Sequence, residues 1–225
     1  MVNVGNTATR LARFEGDRLV DDYRVPTGGT PPELDGAPIA IVSVVPEAAR
    51  ALAEAWGAVA ELTAEDATGM AIAYEPPQAL GIDRLANAYA LFKHFGKGIA
   101  VDFGTATTIT VVDQAGVLAG GAIMPGLSTA MASLKRGTAQ LPEVPVEATE
   151  ALWGRSTRES IQIGVVHGQA GAIRHLIGRM PGDMPVVITG GWAGLMAGLL
   201  PATYRHEPAW TLEGGRLLYH CSTRH

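Results

Sequence analysis

The stretch VNVGNTATRLARF, residues 2–14, decides the fold: a short apolar strand, a turn at Gly5 and a second strand. Glycine lets the backbone approach a ligand closely, and the threonine hydroxyls that follow add uncharged hydrogen-bond donors. These are the parts of a phosphate-binding hairpin. Such sites commonly also hold a carboxylate that manages the metal ion of a nucleotide, yet two positions before the glycine stands Asn3. The stretch is a nucleotide site without its acid, a site with its acid elsewhere, or only a tight turn.

The same pattern returns in VDFGTATTITVVD, residues 101–113. When Asn3–Thr9 is aligned with Asp102–Thr108, the glycines coincide and threonines cluster after both. A repeat spaced at about half the chain predicts two related halves that meet near residues 96–98. Two such turns facing each other across a cleft would hold a phosphate chain from both sides. The alternative is a pair of ordinary hairpins.

Strand and helix patterns mix along the chain, which predicts an α/β protein whose mixed sheets carry helices on their faces. Short apolar strands follow each glycine turn and recur in residues 37–46, 58–64 and 184–189. Helical spacing predicts helices over residues 47–56, 80–96, 125–136 and 154–180. The tail, residues 210–220, contains a double glycine and is interpreted as a last extended piece with a turn.

Composition excludes several classes of protein. The chain has 225 residues, is 47% hydrophobic and carries a net charge of −5, so its length suits one or two globular domains. The lack of a basic block argues against a nucleic-acid partner, and the lack of an apolar run of about 20 residues argues against a membrane span. The one cysteine fits a reducing cytoplasm. The sequence has no GxSxG elbow, no GxxxxGK[ST] loop and no CxxC pair.

The stretch YEPPQALGIDRLANA, residues 74–88, places Asp83 and Arg84 in the first turn of a predicted helix. The helix dipole favours an ionised aspartate at that position. Asp83 is therefore a candidate acceptor for a proton from a substrate hydroxyl, with Arg84 binding an anion. In the alternative interpretation, Asp83 only complements the dipole and Arg84 is solvated.

Asp102 stands at the end of an apolar strand beside the second glycine turn. A carboxylate in such a place needs a cation or hydrogen-bond donors to offset its lost hydration, which indicates a cation ligand. A cap on the following turn is the alternative. A third glycine turn, in VVITGGWAG at residues 186–194, would let a nucleoside lie on a helix N-terminus or would only allow close packing of strand and helix.

Taken together and in order, six stretches resemble the type III pantothenate kinases across nearly the whole chain: VGNTATR, YEPPQALGIDRLANA, VDFGTATTITVVD, GGAIMPGLSTAMASL, GRSTRESIQIGVV and VITGGWA. That family belongs to the superfamily of actin, sugar kinases and heat-shock chaperones. The resemblance implies duplicated ribonuclease-H-like, actin-like ATPase domains with ATP in the cleft between the halves. Their expected bounds are 1–97 and 98–225.

The resemblance also implies an activity: a cytoplasmic homodimer that transfers the ATP γ-phosphate to pantothenate, the first step towards coenzyme A, using Mg²⁺ and a monovalent cation such as K⁺ or NH₄⁺. Asp83 matches the general base, and Asp102 matches the monovalent-cation ligand. Residues that match pantothenate contacts are Tyr74, Gly81, Ile82, Arg84 and, from the dimer partner, Thr157. Residues that match ATP and phosphate contacts are Asn3, Gly5, Asn6, Thr7, Arg10, Gly104, Thr105 and Thr107.

Two positions depart from the family pattern. The first motif of the family carries Asp where this chain has Asn3, and Lys where it has Arg10. An amide offers an oxygen to hydrated Mg²⁺ but no charge, and one unit charge at about 4 Å is worth roughly 4 kcal/mol in a partly shielded site. Two further hypotheses therefore stand beside an active kinase: a weak or inactive homologue with a regulatory or accessory role, and a kinase for another small hydroxylated substrate.

Overall fold

A computed structural model describes residues 1–29, 37–57 and 59–222 of the chain. The chain forms two compact units. The first comprises Met1–Gly98, Thr110–Gly120 and Ala209–His225, and the second comprises Ile99–Ile109 and Gly121–Pro208. These units follow compactness rather than the sequence repeat, so the halves 1–97 and 98–225 remain a proposal about the repeat.

Helices and strands alternate as the sequence patterns predict, apart from the tail. The strands are β1 (Val2–Val4), β2 (Ala8–Glu15), β3 (Arg18–Pro26), β4 (Ile39–Ser43), β5 (Val59–Glu61), β6 (Gly98–Phe103), β7 (Ala106–Val112), β8 (Leu118–Pro125), β9 (Val186–Thr189) and β10 (Arg205–His206). The helices are α1 (Pro46–Trp56), α2 (Ile82–Phe95), α3 (Leu127–Gly137), α4 (Thr157–Gln162), α5 (Gly168–Gly178), α6 (Ala193–Ala197) and α7 (Trp210–Ser222). Two 3₁₀ turns occupy Ala64–Asp66 and Pro77–Ala79, and a π-helical turn, Ile163–His167, joins α4 to α5.

The first sheet has the strand order β3-β2-β1-β4-β5. Strand β1 pairs antiparallel with β2 and parallel with β4. Since strand side chains alternate between faces, one face of this sheet carries the apolar side chains that pack on α1. That core contains Val2, Val4, Leu11, Ile41, Ala49 and Leu52. The opposite face carries Asn3 and Arg10, which are direct cross-strand partners.

Strand order in the second sheet is β10-β9-β6-β7-β8. Three strands joined in sequence are followed by a strand that lies parallel to the first of them, β9 beside β6. Taken from β8 to β10, the second sheet therefore has the same strand order as the first sheet taken from β3 to β5. The two mixed sheets with helices bear out the predicted α/β fold and give the sequence repeat a structural counterpart.

Helix α2 begins where the sequence predicts and ends at Gly96, whose left-handed φ of 71° closes the helix through a bond from its N–H to the Phe92 carbonyl. The helical spacing of apolar residues in the sequence indicates a helix with one buried face, but at the centre of α2 every residue from 84 to 91 is buried. A helix that is buried all round must have partners on several faces. The partner that the sequence did not predict is α7.

The prediction of an extended tail is wrong, because residues 210–222 form α7 and pack along α2. The double glycine that suggested a turn is a packing device. A Cβ at Gly214 would lie 2.0 Å from the Ala86 carbonyl oxygen, and one at Gly215 would lie 2.5 Å from the Met1 side chain. Glycine weakens a helix in isolation, but here it allows two helices to approach backbone to backbone.

The helix predicted over residues 154–180 is confirmed as α4, the π-helical turn and α5. Ser156 caps its start by accepting the Glu159 N–H at 3.2 Å. Glu159 in turn accepts the N–H of Arg155. Across residues 1–29, 37–57 and 59–222, no helix has the length and apolar character that a membrane span requires.

Candidate active site

The first glycine turn is held by bonds across its own hairpin. The Gly5 N–H donates to the Ala8 carbonyl at 3.1 Å, and a Cβ at Gly5 would lie 3.1 Å from that same oxygen. Asn6 and Thr7 at the tip are exposed. Thr27 supports the turn from the end of β3, because its hydroxyl donates to the Gly5 carbonyl at 2.6 Å. Sequence reasoning missed Thr27, since only the β2–β3 register brings it there.

Asn3 and Arg10 lie side by side on adjacent strands, one pair away from this turn. The Arg10 side chain binds a carboxylate on the neighbouring strand β3. Its Nε donates to Asp22 Oδ1 at 2.8 Å, and an Nη2 bond to Oδ2 makes the pair bidentate. The side chains of both residues are 27% exposed. The hairpin thus places a carboxylate beside the cationic residue of the first motif.

Asp83 lies near the same edge of the first sheet as the Gly5 turn. The Val44 N–H, just after β4, donates to the Val4 carbonyl, and a Cβ built on Gly81 would touch the Val44 side chain at 3.9 Å. Gly81 is also the N-cap of α2, where a Cβ would lie 2.6 Å from Asp83 Oδ1. Glycine at this cap therefore leaves room for the carboxylate to fold back over the helix start, with Ile82 half-buried between them.

Burial raises the pKa of the Asp83 carboxyl above its usual range, against the opposing effects of the Arg84 N–H bond and the Arg84 charge. The Arg84 N–H reaches Asp83 Oδ1 at 2.7 Å. The sequence predicted an aspartate governed by the helix dipole, whereas lost hydration decides the direction of the shift. A carboxylate with a raised pKa is a stronger base than an exposed aspartate.

Arg84 is only 5% exposed, so its interpretation as a solvated side chain is wrong. Its guanidinium lies 5.2 Å from the centre of the Tyr74 ring and donates at 3.4 Å to the Tyr74 hydroxyl and the Thr110 hydroxyl. Among the residues that the structure describes, no carboxylate oxygen lies within 4.0 Å of that guanidinium. A buried cation without a carboxylate partner is costly unless an anion joins it.

In the second unit, the turn after β6 is built against the start of α3. A Cβ at Gly126 would lie 2.2 Å from the Gly104 carbonyl oxygen, and the Gly126 N–H and the Thr129 hydroxyl both donate to the Thr105 carbonyl. Thr105 itself is exposed at the tip. The Gly104 N–H donates to the Ala106 carbonyl at 3.1 Å. Helix α3 thereby fixes the shape of the turn, which the sequence pattern did not indicate.

The two threonines predicted to contact phosphate in this turn have different surroundings. Thr107 is fully buried, and its hydroxyl donates to Gln169 Oε1 at 3.0 Å. The Nε2 of Gln169 in turn donates to the Pro125 carbonyl at 2.8 Å. The Thr107 hydroxyl thus belongs to the interior of the second unit in this conformation, while Thr105 presents its side chain outward.

Asp102 is half-buried where β6 and β9 run parallel, paired in register with Thr189. The third glycine turn closes over it. A Cβ at Gly190 would lie 2.4 Å from Asp102 Oδ1 and 2.6 Å from the Phe103 nitrogen, and Gly190 has a φ of +97°. A side chain at position 190 would fill the space beside the carboxylate. The glycine turns at Gly104 and Gly190 thus both lie against Asp102 Oδ1, and we call this arrangement the glycine cradle.

A family model for the type III pantothenate kinases matches residues 1–179. A type III pantothenate kinase from Streptomyces avermitilis is 35% identical and covers 97% of this chain and 96% of its own length. One from an Anaeromyxobacter species (strain Fw109-5) is 36% identical, with 97% of each chain covered.

The chain belongs to the type III pantothenate kinase family. Solved structures that resemble this family member support its fold alone. One described as a Baf family transcriptional activator from Campylobacter jejuni aligns with a TM-score of 0.68 at 17% identity, covering 100% of this chain and 98% of the other. The component A of (R)-2-hydroxyglutaryl-CoA dehydratase from Acidaminococcus fermentans aligns with a TM-score of 0.51 at 18% identity, covering 99% and 96%.

Thr157, predicted to reach the site of a partner subunit in this pantothenate kinase family, opens α4 and is exposed. It lines an open groove of about 890 Å³ between α3 and α4, together with Arg155, Ser156 and Ser160. Leu152 and Trp153, just before the helix, are 86% and 66% exposed. Such large apolar side chains on a surface are typical of a protein interface.

In the described part of the chain, no three His, Cys, Asp or Glu residues lie together so that they could hold a metal ion by themselves. Mg²⁺ in kinase sites commonly takes one or two carboxylates, several waters and the oxygens of the phosphates. The half-buried Asp102 is a separate feature, whose carboxylate oxygen and negative charge suit a cation bound by the protein itself.

Proposed function

We propose that this protein transfers the γ-phosphoryl group of ATP to the terminal hydroxyl of pantothenate, forming 4'-phosphopantothenate for coenzyme A synthesis. The carrying observation is the start of α2, where a half-buried carboxylate of raised pKa adjoins a buried guanidinium that has no carboxylate partner among the described residues. Pantothenate has the matching chemistry, with a hydroxyl at one end and a carboxylate at the other.

In this proposal the Arg84 guanidinium binds the pantothenate carboxylate, helped by the Tyr74 hydroxyl, and the Asp83 carboxylate accepts the hydroxyl proton. The hydroxyl oxygen forms a bond to the γ-phosphorus while the bond from that phosphorus to the β–γ bridging oxygen breaks, and ADP leaves. Proton transfer by a positioned carboxylate contributes about 10² to 10⁴ in rate. Gly81 and Ile82 shape the wall against which the acceptor lies.

Phosphate binding falls to the two glycine turns. We assign to it the exposed Asn6 and Thr7 of the first turn and the exposed Thr105 and half-buried Gly104 of the second, with Gly5 and Thr107 shaping their turns from within. Mg²⁺, when bound with the nucleotide, neutralises charge on the phosphates. Arg10 and Asn3 lie on the same sheet face behind the first turn, where Arg10 carries a positive charge and Asn3 is neutral.

Asp102 is proposed as the ligand of a monovalent cation, K⁺ or NH₄⁺. The support is its position at the end of β6, half-buried and enclosed by two glycine turns. A single carboxylate gives such a site one negative charge, which balances a monovalent cation. The cation would in turn offset the cost of burying the carboxylate.

The proposed assembly is a homodimer in which Thr157 completes the pantothenate site of the partner subunit. Its support is the exposed apolar pair Leu152 and Trp153 beside the groove that Thr157 lines. Burial of both side chains would contribute on the order of 1.5–3 kcal/mol for each. The interface thereby gains a driving force close to the residue that it must position.

Acceptor choice tests this function against a kinase for another hydroxylated compound. Pantothenyl alcohol keeps the terminal hydroxyl and replaces the carboxylate by an alcohol. We expect kcat/KM for pantothenate to exceed that for pantothenyl alcohol by at least tenfold, measured by ADP release at saturating ATP, with glucose giving no turnover. Equal values for pantothenate and its alcohol would contradict the assignment of Arg84, and a faster reaction with an unrelated sugar would contradict the substrate.

A further inference from the structure

A buried glutamine on α5, Gln169, joins two strands of the second sheet inside the second unit. It lies in the first turn of α5 on the face that Ala170 and Ile173 also bury, and it is only 9% exposed. A polar side chain among apolar ones costs free energy unless its hydrogen bonds are made. Here Oε1 accepts the Thr107 hydroxyl at 3.0 Å, and Nε2 donates to the Pro125 carbonyl at 2.8 Å. The amide therefore ties β7 to the end of β8.

The two ends of this link lie beside the second glycine turn. Thr107 follows Thr105, the exposed tip of the turn, by two residues. Pro125 directly precedes Gly126, the N-cap of α3, whose N–H donates to the Thr105 carbonyl at 3.0 Å. Gln169 therefore closes a ring of covalent and hydrogen bonds that contains the tip of the turn and the start of α3.

We propose that Gln169 is a positioning residue for ATP binding: it fixes the shape of the second glycine turn by holding Thr107 and the start of α3 in place. Because its amide is buried and bonded at both ends, it acts through these two partners and not on a phosphate. This inference rests on the proposed binding of ATP phosphates at the turn, although it does not depend on the identity of the acceptor.

The chemistry of the two contacts fixes the orientation of the amide. A backbone carbonyl only accepts hydrogen bonds, so the amide NH₂ faces Pro125 and the amide oxygen faces Thr107. Because an amide oxygen also only accepts, the Thr107 hydroxyl donates its hydrogen to Gln169. Ionised phosphate oxygens are acceptors as well, so Thr107 has no hydrogen to offer them while this bond is made. Thr107 therefore acts on the shape of the turn, and the exposed Thr105 provides the hydroxyl donor.

Gln162 provides a matched control for the loss of a buried amide. It lies on α4 in the same unit and is 5% exposed, and its Nε2 donates to the Pro145 carbonyl and to Glu147. These partners belong to the segment between α3 and α4 and not to the glycine turn. Methionine is unbranched like glutamine but has no amide, so Gln→Met at position 162 or 169 removes the bonds and keeps an extended side chain.

The test measures the affinity for ATP with Mg²⁺ by titration calorimetry, without an acceptor, alongside thermal unfolding of each variant. We expect Gln169→Met to weaken binding about tenfold, because ordering of the loosened turn then opposes binding. Gln162→Met should bind within about twofold of the wild type even if its thermal midpoint falls as far. A merely structural role for the buried amide would not separate the two variants.

Thr107 tests the other end of the link. Thr107→Val should weaken ATP binding about as much as Gln169→Met, whereas Thr107→Ser keeps the hydroxyl and should stay within about threefold of the wild type. The double variant of Thr107→Val and Gln169→Met should be no more than about threefold weaker than Gln169→Met, since both changes break the same link.

Wild-type affinity in Gln169→Met, or an equal loss in Gln162→Met, would overturn the inference. A double variant whose loss is the product of the two single losses would also overturn it, because Thr107 would then act independently of Gln169. If Gln169→Met does not fold, wild-type affinity in Thr107→Val overturns the inference from the other end.

A turnover assay with pantothenate keeps this inference distinct from the proposed function. If the binding measurements follow the expected pattern and pantothenate is not phosphorylated, the acceptor assignment fails and the inference stands. If pantothenate is phosphorylated and Gln169→Met binds ATP as the wild type does, only the inference fails.

Discussion

At the scale of single residues, the start of α2 shows what local sequence can and cannot predict. The positions of Asp83 and Arg84 in the first helical turn follow from the glycine before them and the helical spacing after them. The burial of Arg84 does not, because it depends on Tyr74 and on Thr110, which is 26 residues further along the chain. Burial, and not the helix dipole, sets the direction in which the Asp83 pKa moves.

Replacement of Asp83 by Asn should lower kcat and raise the thermal stability at pH 7. A carboxyl whose folded pKa is raised contributes its full stability below its unfolded pKa, near 3.8, and that contribution is lost as pH rises through the folded pKa. Asp83→Asn should therefore raise the thermal midpoint at pH 7, with the gain shrinking towards pH 4, while kcat falls by about 10² or more. The measurements are thermal unfolding at several pH values and pantothenate turnover. A lower midpoint at pH 7 with intact turnover would contradict both roles.

The pH dependence of the wild-type enzyme follows from the same shift. Because the base must be ionised, kcat/KM for pantothenate should fall as the pH drops through the raised pKa of Asp83. The loss should set in at a higher pH than an ordinary aspartate would show, and it should be absent from the residual activity of Asp83→Asn. Initial rates between pH 3.5 and 8 check this, and a loss that begins no higher than the ordinary aspartate pKa of 3.8, in an enzyme that stays folded, would contradict it.

Arg84→Met should separate binding of the carboxylate from chemistry. Truncating one partner of a buried charge pair typically costs 2–5 kcal/mol. We expect KM for pantothenate to rise at least thirtyfold, with a much smaller change in KM for pantothenyl alcohol. Steady-state kinetics on both acceptors provide the measurement. An equal rise for the two would mean that Arg84 supports the fold of the site and not the carboxylate.

Asp102→Asn should raise the K⁺ concentration needed for half-maximal activity by at least tenfold, because the cation loses its balancing charge. Asp183 is an exposed carboxylate in the same unit, and Asp183→Asn is the matched control that should behave as the wild type. Turnover is measured against K⁺ at constant ionic strength. An unchanged K⁺ dependence in Asp102→Asn would contradict the assignment of the cation to Asp102.

At the scale of elements, the tail is where sequence patterns failed and the physical reason is clear. Adjacent glycines usually mark a turn, because glycine costs about 1 kcal/mol in a helix relative to alanine. In α7 that cost is outweighed by contact with α2, where Gly214 leaves no room for a Cβ beside Ala86. The other helices and all strands except the two-residue β10 were predictable, since their signals lie within a few residues.

Gly214→Ala should therefore destabilise the protein although alanine is the better helix former. Overpacking in a well-packed core typically costs 1–3 kcal/mol and here forces two helix backbones apart. We expect the thermal midpoint to fall by at least about 4 °C. The matched control is Gly171→Ala in α5, where a Cβ meets nothing within 4 Å, and it should leave the midpoint unchanged or raise it. Equal effects of the two substitutions would contradict the packing role of Gly214.

At the scale of the whole molecule, the repeated glycine turn predicted a duplication, and both sheets share one strand order. The repeat was visible because each turn needs the same residue types in a short span. The residues that support each turn were not visible in the sequence. Thr27 reaches the first turn through strand register, and α3 reaches the second from more than 20 residues away. The accessory alternative rests on Asn3 alone.

The most direct test of the account is the reaction itself. Purified protein is incubated with pantothenate, millimolar ATP, Mg²⁺ and K⁺, and the product is identified by mass spectrometry and phosphorus NMR, with Asp83→Asn in parallel. We expect the wild type to form 4'-phosphopantothenate in step with ADP, and Asp83→Asn to form at least a hundredfold less. No phosphopantothenate above the enzyme-free background, from protein that is folded and binds ATP, would contradict it.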